Sequence, residues 1–303
     1  MSLPIDGFLN VLKPPGMTSH DVVAWARRLL GLKRIGHLGT LDPAAAGVLP
    51  LSVGRATRMF EFAGGGRKSY RAEIVFGQRT DTLDAEGTIT TEAEAAHLTA
   101  EAVRAHLNGF VGEMVQTPPA FSAAKVDGRP LHRHARAGEP KRGRPKRVAI
   151  YALDLVAFEA GSHPRALVDV SCSTGTYIRV LADELGMAAG PGAYLGFLLR
   201  TKVGPFELEA ASTLEELETA ENEGWTGDLL LPTDWPLAAF SEVRLNAAEM
   251  KSFVRGSAVR ADMADEWPVR SYGPDGRFLG LGEVVSGALR PRVVLANEDA
   301  TQT

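Results

Sequence analysis

The chain has 303 residues and a formal net charge of −4, and its 45% hydrophobic and 23% charged residues are typical of a globular protein. No run approaches the roughly 18 apolar residues of a membrane-spanning helix, and the first residues lack the pattern of a signal peptide. The single cysteine, Cys172, excludes an internal disulfide and a cysteine-based zinc site. These features predict a cytoplasmic protein with no membrane segment, long enough for two domains.

The first predicted helix has clear boundaries. Thr18 or Ser19 is a candidate N-cap, apolar residues then recur at helical spacing, and Gly31 suits the position after the last turn. The next segment, GHLGTLDPAAAG at residues 36–47, combines three glycines with a proline. This composition predicts a loop, in which Asp42 is the only acidic residue.

Alternating and helical patterns continue through the middle of the chain. Residues 70–76, 148–159 and 165–173 have the features of strands, because apolar and β-branched side chains dominate them. Residues 99–108 and 175–186 have helical spacing and are followed by or end at a glycine. These patterns therefore predict both strands and helices in the middle of the chain.

The last part of the chain changes in character. The acidic stretch at 212–224 offers a capping box, formed by Ser212 with Glu215 or by Thr213 with Glu216. From residue 243 to 295, short apolar runs alternate with glycines, which predicts a small β-rich module. We therefore expect one domain at 1–240 and another at 241–303.

Residues 117–147 are rich in proline and glycine and read as a long, extended insertion. Between residues 125 and 147, nine lysines and arginines outnumber two acidic residues, a local charge of +7. Such a stripe is compatible with a binding site for RNA phosphates and equally with a solvated, mobile loop. The pattern alone leaves both interpretations open.

Asp42 by itself is most simply interpreted as a turn residue, because aspartate before proline is common in turns. Its neighbours are unusually small, so a bulky planar substrate would have room to approach the carboxylate. No second carboxylate or metal-ligand spacing accompanies it in the sequence.

Several long motifs occur in the order found in one known family. They are KPPGMTSHD at 13–21, GHLGTLDPAAAG at 36–47, YRAEIVFGQRTDTLDAEG at 70–87, QTPPAFSAAKVDGRPLHRHAR at 116–136, CSTGTYIRVLADELG at 172–186 and GAYLGFLLR at 192–200. With these motifs the chain resembles the bacterial tRNA pseudouridine-55 synthases of the TruB type, and its tail resembles a PUA domain. The resemblance implies an α+β fold in which a mixed, largely antiparallel sheet forms the catalytic domain.

The resemblance also implies roles for individual residues. Asp42 matches the essential aspartate, which could attack C1′ or C6 of the nucleotide or remove a proton. Arg179 matches the arginine that pairs with it, and Tyr70 matches the tyrosine that stacks on the uracil. His37, Tyr177 and Leu198 match positions around the flipped nucleotide, although each also fits an ordinary loop or core residue.

The implied reaction converts uridine to pseudouridine at position 55 in the T stem-loop of tRNA. No electrons enter or leave, so we expect no redox cofactor, and the family pattern contains no metal. The detached base is itself the acceptor, so one carboxylate can suffice where a glycosidase would require two. The resemblance further assigns RNA binding to cations of the insertion, namely Lys125, Arg129, Arg133, Arg136 and Arg142. We expect a monomer, and the alternative is a non-enzymatic protein that binds and folds tRNA.

Overall fold

The structure is a computed structural model that describes residues 6–139, 141–224 and 226–295. Its helices are α1 Ser19–Leu29, α2 Phe60–Ala63, α3 Ala100–Asn108, α4 Leu131–Arg136, α5 Ile178–Ala189, α6 Leu214–Glu223, α7 Thr226–Leu229 and α8 Ala247–Val254. Its strands are β1 Gly7–Lys13, β2 Ile35–His37, β3 Ala46–Val53, β4 Arg67–Phe76, β5 Gln78–Thr80, β6 Ile89–Glu92, β7 Gly112–Gln116, β8 Lys125–Val126, β9 Arg129–Pro130, β10 Lys146–Glu159, β11 Arg165–Ser173, β12 Ala193–Val203, β13 Phe206–Glu207, β14 Glu242–Arg244, β15 Val259–Arg260, β16 Glu266–Tyr272, β17 Phe278–Val285 and β18 Ala288–Val294. In the described ranges, no helix is long and apolar enough to cross a membrane.

A nine-stranded sheet forms the larger part of the molecule. Its strand order is β1-β3-β12-β4-β11-β10-β7, with β2 beside β3 and β13 beside β12. Within this sheet β12 runs parallel to β3 and antiparallel to β4. The predicted α+β class with a mixed, largely antiparallel sheet is confirmed.

One face of this sheet is covered by helices. Tyr70, Ala72, Ile74 and Phe76 alternate along β4 and are all buried, as the period-two pattern predicts. They belong to an apolar cluster that also contains residues of α3 and α5. This packing fixes α5, which carries Arg179, against the strand that carries Tyr70.

The parallel contact between β3 and β12 depends on a glycine. Gly47 has a φ of +113°, and a Cβ added there would lie 2.2 Å from the carbonyl oxygen of Arg200. Glycine is therefore required both by the backbone conformation and by the close approach of the two strands. This contact lies directly after the loop that carries Asp42.

Most predicted element boundaries agree with the structure. Helix α1 is capped by Thr18, whose side chain accepts a hydrogen bond from the backbone of Asp21. Helix α6 is capped by Thr213 with Glu216, which decides between the two predicted capping boxes. The strands at 70–76, 148–159 and 165–173 correspond to β4, β10 and β11.

Three local predictions were wrong. Helix α5 continues beyond Gly186 to Ala189, because Gly186 serves close packing: an added Cβ would lie 2.1 Å from the nitrogen of Ala193. Segment 36–47 is a loop only in its centre, since β2 and β3 include its ends. The insertion at 117–147 is not simply extended, because it contains the β8–β9 hairpin and helix α4.

The β-rich tail is confirmed and contains one helix that the sequence pattern did not indicate. Its five strands have the order β14-β16-β17-β18-β15, and α8 contributes Met250 and Phe253 to their apolar cluster. This sheet also packs on the rest of the molecule through Leu281 and Leu295, which share a cluster with residues of the larger sheet. The domain boundary at residue 240 stays a prediction.

Candidate active site

The loop between β2 and β3 holds Asp42 in a defined position. The Ser19 hydroxyl donates to the carbonyl of Leu41 at 3.1 Å and accepts from the Leu41 amide at 2.8 Å. Ser19 opens α1 and is almost completely buried. The first turn of α1 thus fastens the residue that precedes Asp42.

Two buried cations hold the same loop from inside the molecule. Lys13 Nζ donates to the carbonyl of Pro43 at 3.1 Å. Arg200 is fully buried, and its guanidinium donates to the carbonyls of Gly39, Thr40 and Val48 at 3.0, 3.2 and 2.8 Å. Burial, with the Arg200 charge second, lowers the pKa of Lys13 to about 8, and burial also lowers the pKa of Arg200.

Arg179 pairs with Asp42. Its Nε lies 3.0 Å from Asp42 Oδ2, and its side chain is only 6% exposed whereas that of Asp42 is 41% exposed. Nη1 also lies 3.5 Å from the carboxylate of Asp84, and Nη2 donates to the carbonyl of Phe121 at 3.0 Å. The guanidinium is therefore held on several sides, and it orients a carboxylate whose other side is open.

The start of α5 is fixed by a buried glutamine. Gln116 accepts a hydrogen bond from the Tyr177 amide at 2.9 Å and donates to the Tyr177 carbonyl at 3.4 Å. Tyr177 is the residue that precedes α5 and lies two positions before Arg179. Strand β7 thereby sets the position of the arginine relative to the loop.

Two cavities meet at Asp42. The first has a volume of about 350 Å³, and its walls include Asp42, Tyr70, Tyr177 and Leu198. The second, of about 510 Å³, includes Asp42, His37, Asp84 and Arg136 in its walls. The first cavity is within the usual size range of small-molecule sites, so one nucleoside would fit beside the carboxylate.

Tyr70 closes the inner side of the first cavity. Its side chain is 7% exposed, and burial raises the pKa of its phenol to about 12 while the nearby Arg200 acts in the opposite direction. The phenol therefore remains protonated at neutral pH and offers an aromatic face and a hydroxyl donor.

The structure brings most of the residues singled out in the sequence together. Asp42, Tyr70, Arg179, Tyr177 and Leu198 line one cavity. His37 does not line this cavity but shares the second one with Asp42 and Arg179, and burial is the main factor that lowers the pKa of its imidazole.

The predicted RNA-binding cations are divided between two positions. Arg136 at the end of α4 reaches the second cavity. The other four line neither cavity and have exposed side chains on the insertion: Lys125, Arg129, Arg133 and Arg142. Lys141, another cation of the insertion, forms a salt bridge in which its Nζ lies 2.6 Å from Asp127 Oδ2.

Sequence reasoning missed four residues that shape the site: Lys68, Asp84, Gln116 and Arg200. Two of them had a usable signal in the strand alternation. Lys68 lies two residues before Tyr70, and Arg200 lies two residues after Leu198, so each shares a strand face with a predicted cavity residue. Asp84 lies in a turn-rich segment, where a turn residue is the simpler interpretation, and Gln116 had no signal.

Among the described residues, no group of three or more histidines, cysteines, aspartates or glutamates is placed to hold a metal ion. The reactive groups around the first cavity are a carboxylate, a guanidinium, two phenols and two amines.

Comparison with known proteins identifies the family of the chain. The family model for TruB family pseudouridylate synthase, N-terminal domain, matches residues 27–178. The model for the tRNA pseudouridylate synthase B C-terminal domain matches residues 179–238, and that for the C-terminal part of pseudouridine synthase II TruB matches 241–295.

Individual relatives match along most of the chain. A tRNA pseudouridine synthase B from Caldanaerobacter subterraneus is 40% identical over 291 residues, which cover 96% of this chain and 99% of that protein. One from Symbiobacterium thermophilum is 54% identical over 213 residues, 70% of this chain and 71% of that protein. A chain from a crystal structure of a Cbf5-Nop10-Gar1 complex is 26% identical, with a TM-score of 0.74 and coverage of 97% and 86%. The chain therefore belongs to the TruB family of pseudouridylate synthases.

Proposed function

We propose that this enzyme converts uridine 55 in the T stem-loop of tRNA to pseudouridine, with Asp42 as the catalytic carboxylate. The observation that carries the proposal is the pair of Asp42 and Arg179 at the wall of a nucleoside-sized cavity. The full-length relatives in the TruB family are named tRNA pseudouridine synthase B, which supports tRNA as the substrate.

The reaction exchanges one bond of the uracil for another. The C1′–N1 bond breaks, the ring turns, and a C1′–C5 bond forms, while one proton leaves C5 and one is gained at N1. Breaking the first bond develops positive charge on the sugar, which a nearby carboxylate stabilises or traps. Arg179 holds Asp42 in place for this step and balances its charge before the substrate arrives.

The uridine must leave its base stack to reach Asp42. Tyr70 then offers its ring to the uracil, and Tyr177 and Leu198 supply further apolar wall. A base enclosed in this way is kept from water, so the cleaved intermediate recombines instead of being hydrolysed.

RNA binding extends outward from the cavity. Arg136 and His37 line the second cavity, where the nucleotides next to the target would lie. The exposed cations of the insertion would contact phosphates, and the β-rich tail at 241–303 would act as a PUA-like RNA-binding domain. We further propose that the protein works as a monomer in the cytoplasm, consistent with its free, buried Cys172.

Incubation of tRNA with the wild type and with Asp42→Asn tests the reaction class. A synthase produces pseudouridine with the wild type only, whereas a nucleoside hydrolase would release free uracil. A tRNA chaperone would produce neither, and its refolding activity would persist in the variant. Asp154→Asn, at an exposed aspartate of β10, is the matched control and should retain full activity. Pseudouridine formation by Asp42→Asn at the wild-type rate would refute the proposal.

A further inference from the structure

We propose that Lys68 is the base that removes the proton from C5 of the uracil after the new C1′–C5 bond has formed. This inference rests on the proposed function and adds one catalytic residue to it. The neutral Lys68 amine accepts the C5 proton, and the resulting ammonium then returns a proton to N1. The proton count of the enzyme is thereby unchanged at the end of the reaction.

The position of Lys68 is the first argument. It lies on β4 two residues before Tyr70, so both side chains project from the same face of that strand. Both line the first cavity together with Asp42. A uracil stacked on Tyr70 beside Asp42 would therefore have Lys68 within the same enclosed space.

The second argument is that the partly buried Lys68 lacks a carboxylate partner among the described residues, although lysines withdrawn from solvent are normally paired. Its ammonium instead lies beside Gly39 of the loop, because a Cβ added at Gly39 would be only 2.6 Å from Lys68 Nζ. The same Cβ would be 3.9 Å from a guanidinium nitrogen of Arg200. Among the described residues, Lys68 therefore has no structural role as a member of an ion pair.

The charged and titratable groups around Lys68 make its neutral form accessible. Burial, followed by the Arg200 charge, lowers the pKa of Lys68 from 10.5 to about 8. The titratable groups that line its cavity are Asp42, Tyr70, Lys146, Tyr177 and Arg179. Arg200 on β12, Cys172 on β11 and His37 on β2 also interact with it. The Cys172 thiol acts in the opposite direction to Arg200, but it stays neutral because burial raises its pKa to about 11. The Asp42 carboxylate in the same cavity is paired with Arg179.

The other groups of the cavity are less suited to this step. Tyr70 keeps its proton at neutral pH, and Arg179 remains a cation. The Asp42 carboxylate acts at the sugar in the proposed reaction. Lys146, the remaining amine of the cavity wall, is exposed to solvent on the insertion. A base works best when its pKa lies near the working pH, which favours Lys68.

The test measures single-turnover rates on tRNA that carries uridine or 5-deuterouridine at the target position. Lys68→Met removes the amine with little change in volume, and Lys68→Arg keeps the charge but cannot act as a base near neutral pH. We expect both variants to bind tRNA within threefold of the wild type and to react about 10²- to 10⁴-fold more slowly, the usual contribution of a general base. Deuterium should slow the variants more than the wild type, because loss of the C5 proton becomes rate-limiting.

The pH profile provides a second readout. The wild-type single-turnover rate should rise as pH increases through about 8, since only the neutral amine acts as a base. Both variants should lose this inflection. Added methylamine should restore part of the rate of Lys68→Ala. The control variant Lys146→Met should bind tRNA more weakly but should not acquire the isotope effect.

Three outcomes would overturn the inference. Lys68→Arg with the wild-type rate, combined with weak tRNA binding by Lys68→Met, would make Lys68 a phosphate-binding cation. Unchanged isotope effects in both variants would show that another group takes the C5 proton. If both variants were unfolded by circular dichroism, a wild-type rate without an inflection near pH 8 would still overturn the inference. Failure of the wild type to form pseudouridine would instead refute the proposed function.

Discussion

Arg200 is fully buried, and three backbone carbonyls around the Asp42 loop accept hydrogen bonds from its guanidinium. Its charge has a second effect, because it contributes to lowering the pKa of Lys13, His37 and Lys68. A single interior cation therefore fixes the loop and also disfavours the charged form of its basic neighbours.

Arg200→Met should destabilise the protein and reduce its activity. Methionine fills part of the volume but leaves the buried carbonyl of Val48 and the partly buried carbonyls of Gly39 and Thr40 without their donor. We expect the free energy of unfolding in urea to fall by about 3 kcal/mol, since each orphaned buried acceptor costs roughly 1–3 kcal/mol. Arg104→Met, at an exposed position of α3, is the control and should change stability by less than about 0.5 kcal/mol. A similar small change for Arg200→Met would contradict this role.

At this scale the sequence offered candidates for the reacting groups but not for the residues that support them. Asp42, Tyr70 and Arg179 could be assigned because each lies in a long motif shared with a known family. Arg200 could not, because its partners lie about 150 to 160 residues earlier in the chain. Its role depends on which strand lies beside β3, and one sequence does not contain that information.

The insertion between β7 and β10 would connect RNA binding with the candidate active site. The carbonyl of Phe121, at its beginning, accepts a hydrogen bond from Arg179 at 3.0 Å. Its hairpin β8–β9 and helix α4 then carry exposed cations, and Arg136 reaches the second cavity. A phosphate held by this element would therefore be held close to the residue that orients Asp42.

Arg133→Gln on α4 should weaken tRNA binding without changing the chemical step. Loss of one phosphate contact should raise the Kd about three- to tenfold at low salt and reduce the slope of log K against log salt by about 0.7–0.9. The single-turnover rate at saturating tRNA should equal that of the wild type. Arg104→Gln, at an exposed arginine on α3, should leave both the Kd and the slope unchanged. Equal effects of the two variants would show that the insertion is not the binding element.

Element types were predicted well wherever local signals were strong. The capping residues Thr18 and Thr213 and the alternation along β4 identified their elements directly. Gly186 misled the prediction for α5, because the glycine allows close approach to Ala193 and does not terminate the helix. The hairpin and helix of the insertion were missed because prolines and glycines there mark turns between very short elements.

The nine-stranded and the five-stranded sheet share an apolar cluster. Leu281 of β17 and Leu295 pack in it with Phe8, Val48 and Phe206. Arg55 Nη1 also donates to the Leu295 carbonyl at 2.9 Å. Because β3 contributes Val48 and leads back to the Asp42 loop, the tail supports the strand next to the site.

Leu281→Ala should therefore destabilise both sheets. Removal of a fully buried leucine costs about 2–5 kcal/mol, and here the lost contacts belong to the shared cluster. Hydrogen exchange should accelerate in β1 and β3 as well as in β16–β18. Leu279→Ala removes an equally buried leucine from the cluster within the tail, so its effect should remain in β16–β18. Acceleration confined to the tail in both variants would contradict this coupling.

The strand order of the whole molecule was beyond prediction from one sequence. Strand β12 lies between β3 and β4, which precede it by more than a hundred residues, and this placement forms the cavity. The mixed, largely antiparallel class came from the family resemblance, since periodicity alone does not distinguish strand orders.

The central claim is tested most directly by reacting full-length tRNA with the wild type, Asp42→Asn and Asp154→Asn. Pseudouridine is then mapped in each product at single-nucleotide resolution. The account predicts pseudouridine at position 55 with the wild type and Asp154→Asn, and unmodified uridine with Asp42→Asn despite retained tRNA binding. Modification at position 55 by Asp42→Asn, or wild-type modification only at other positions, would contradict it.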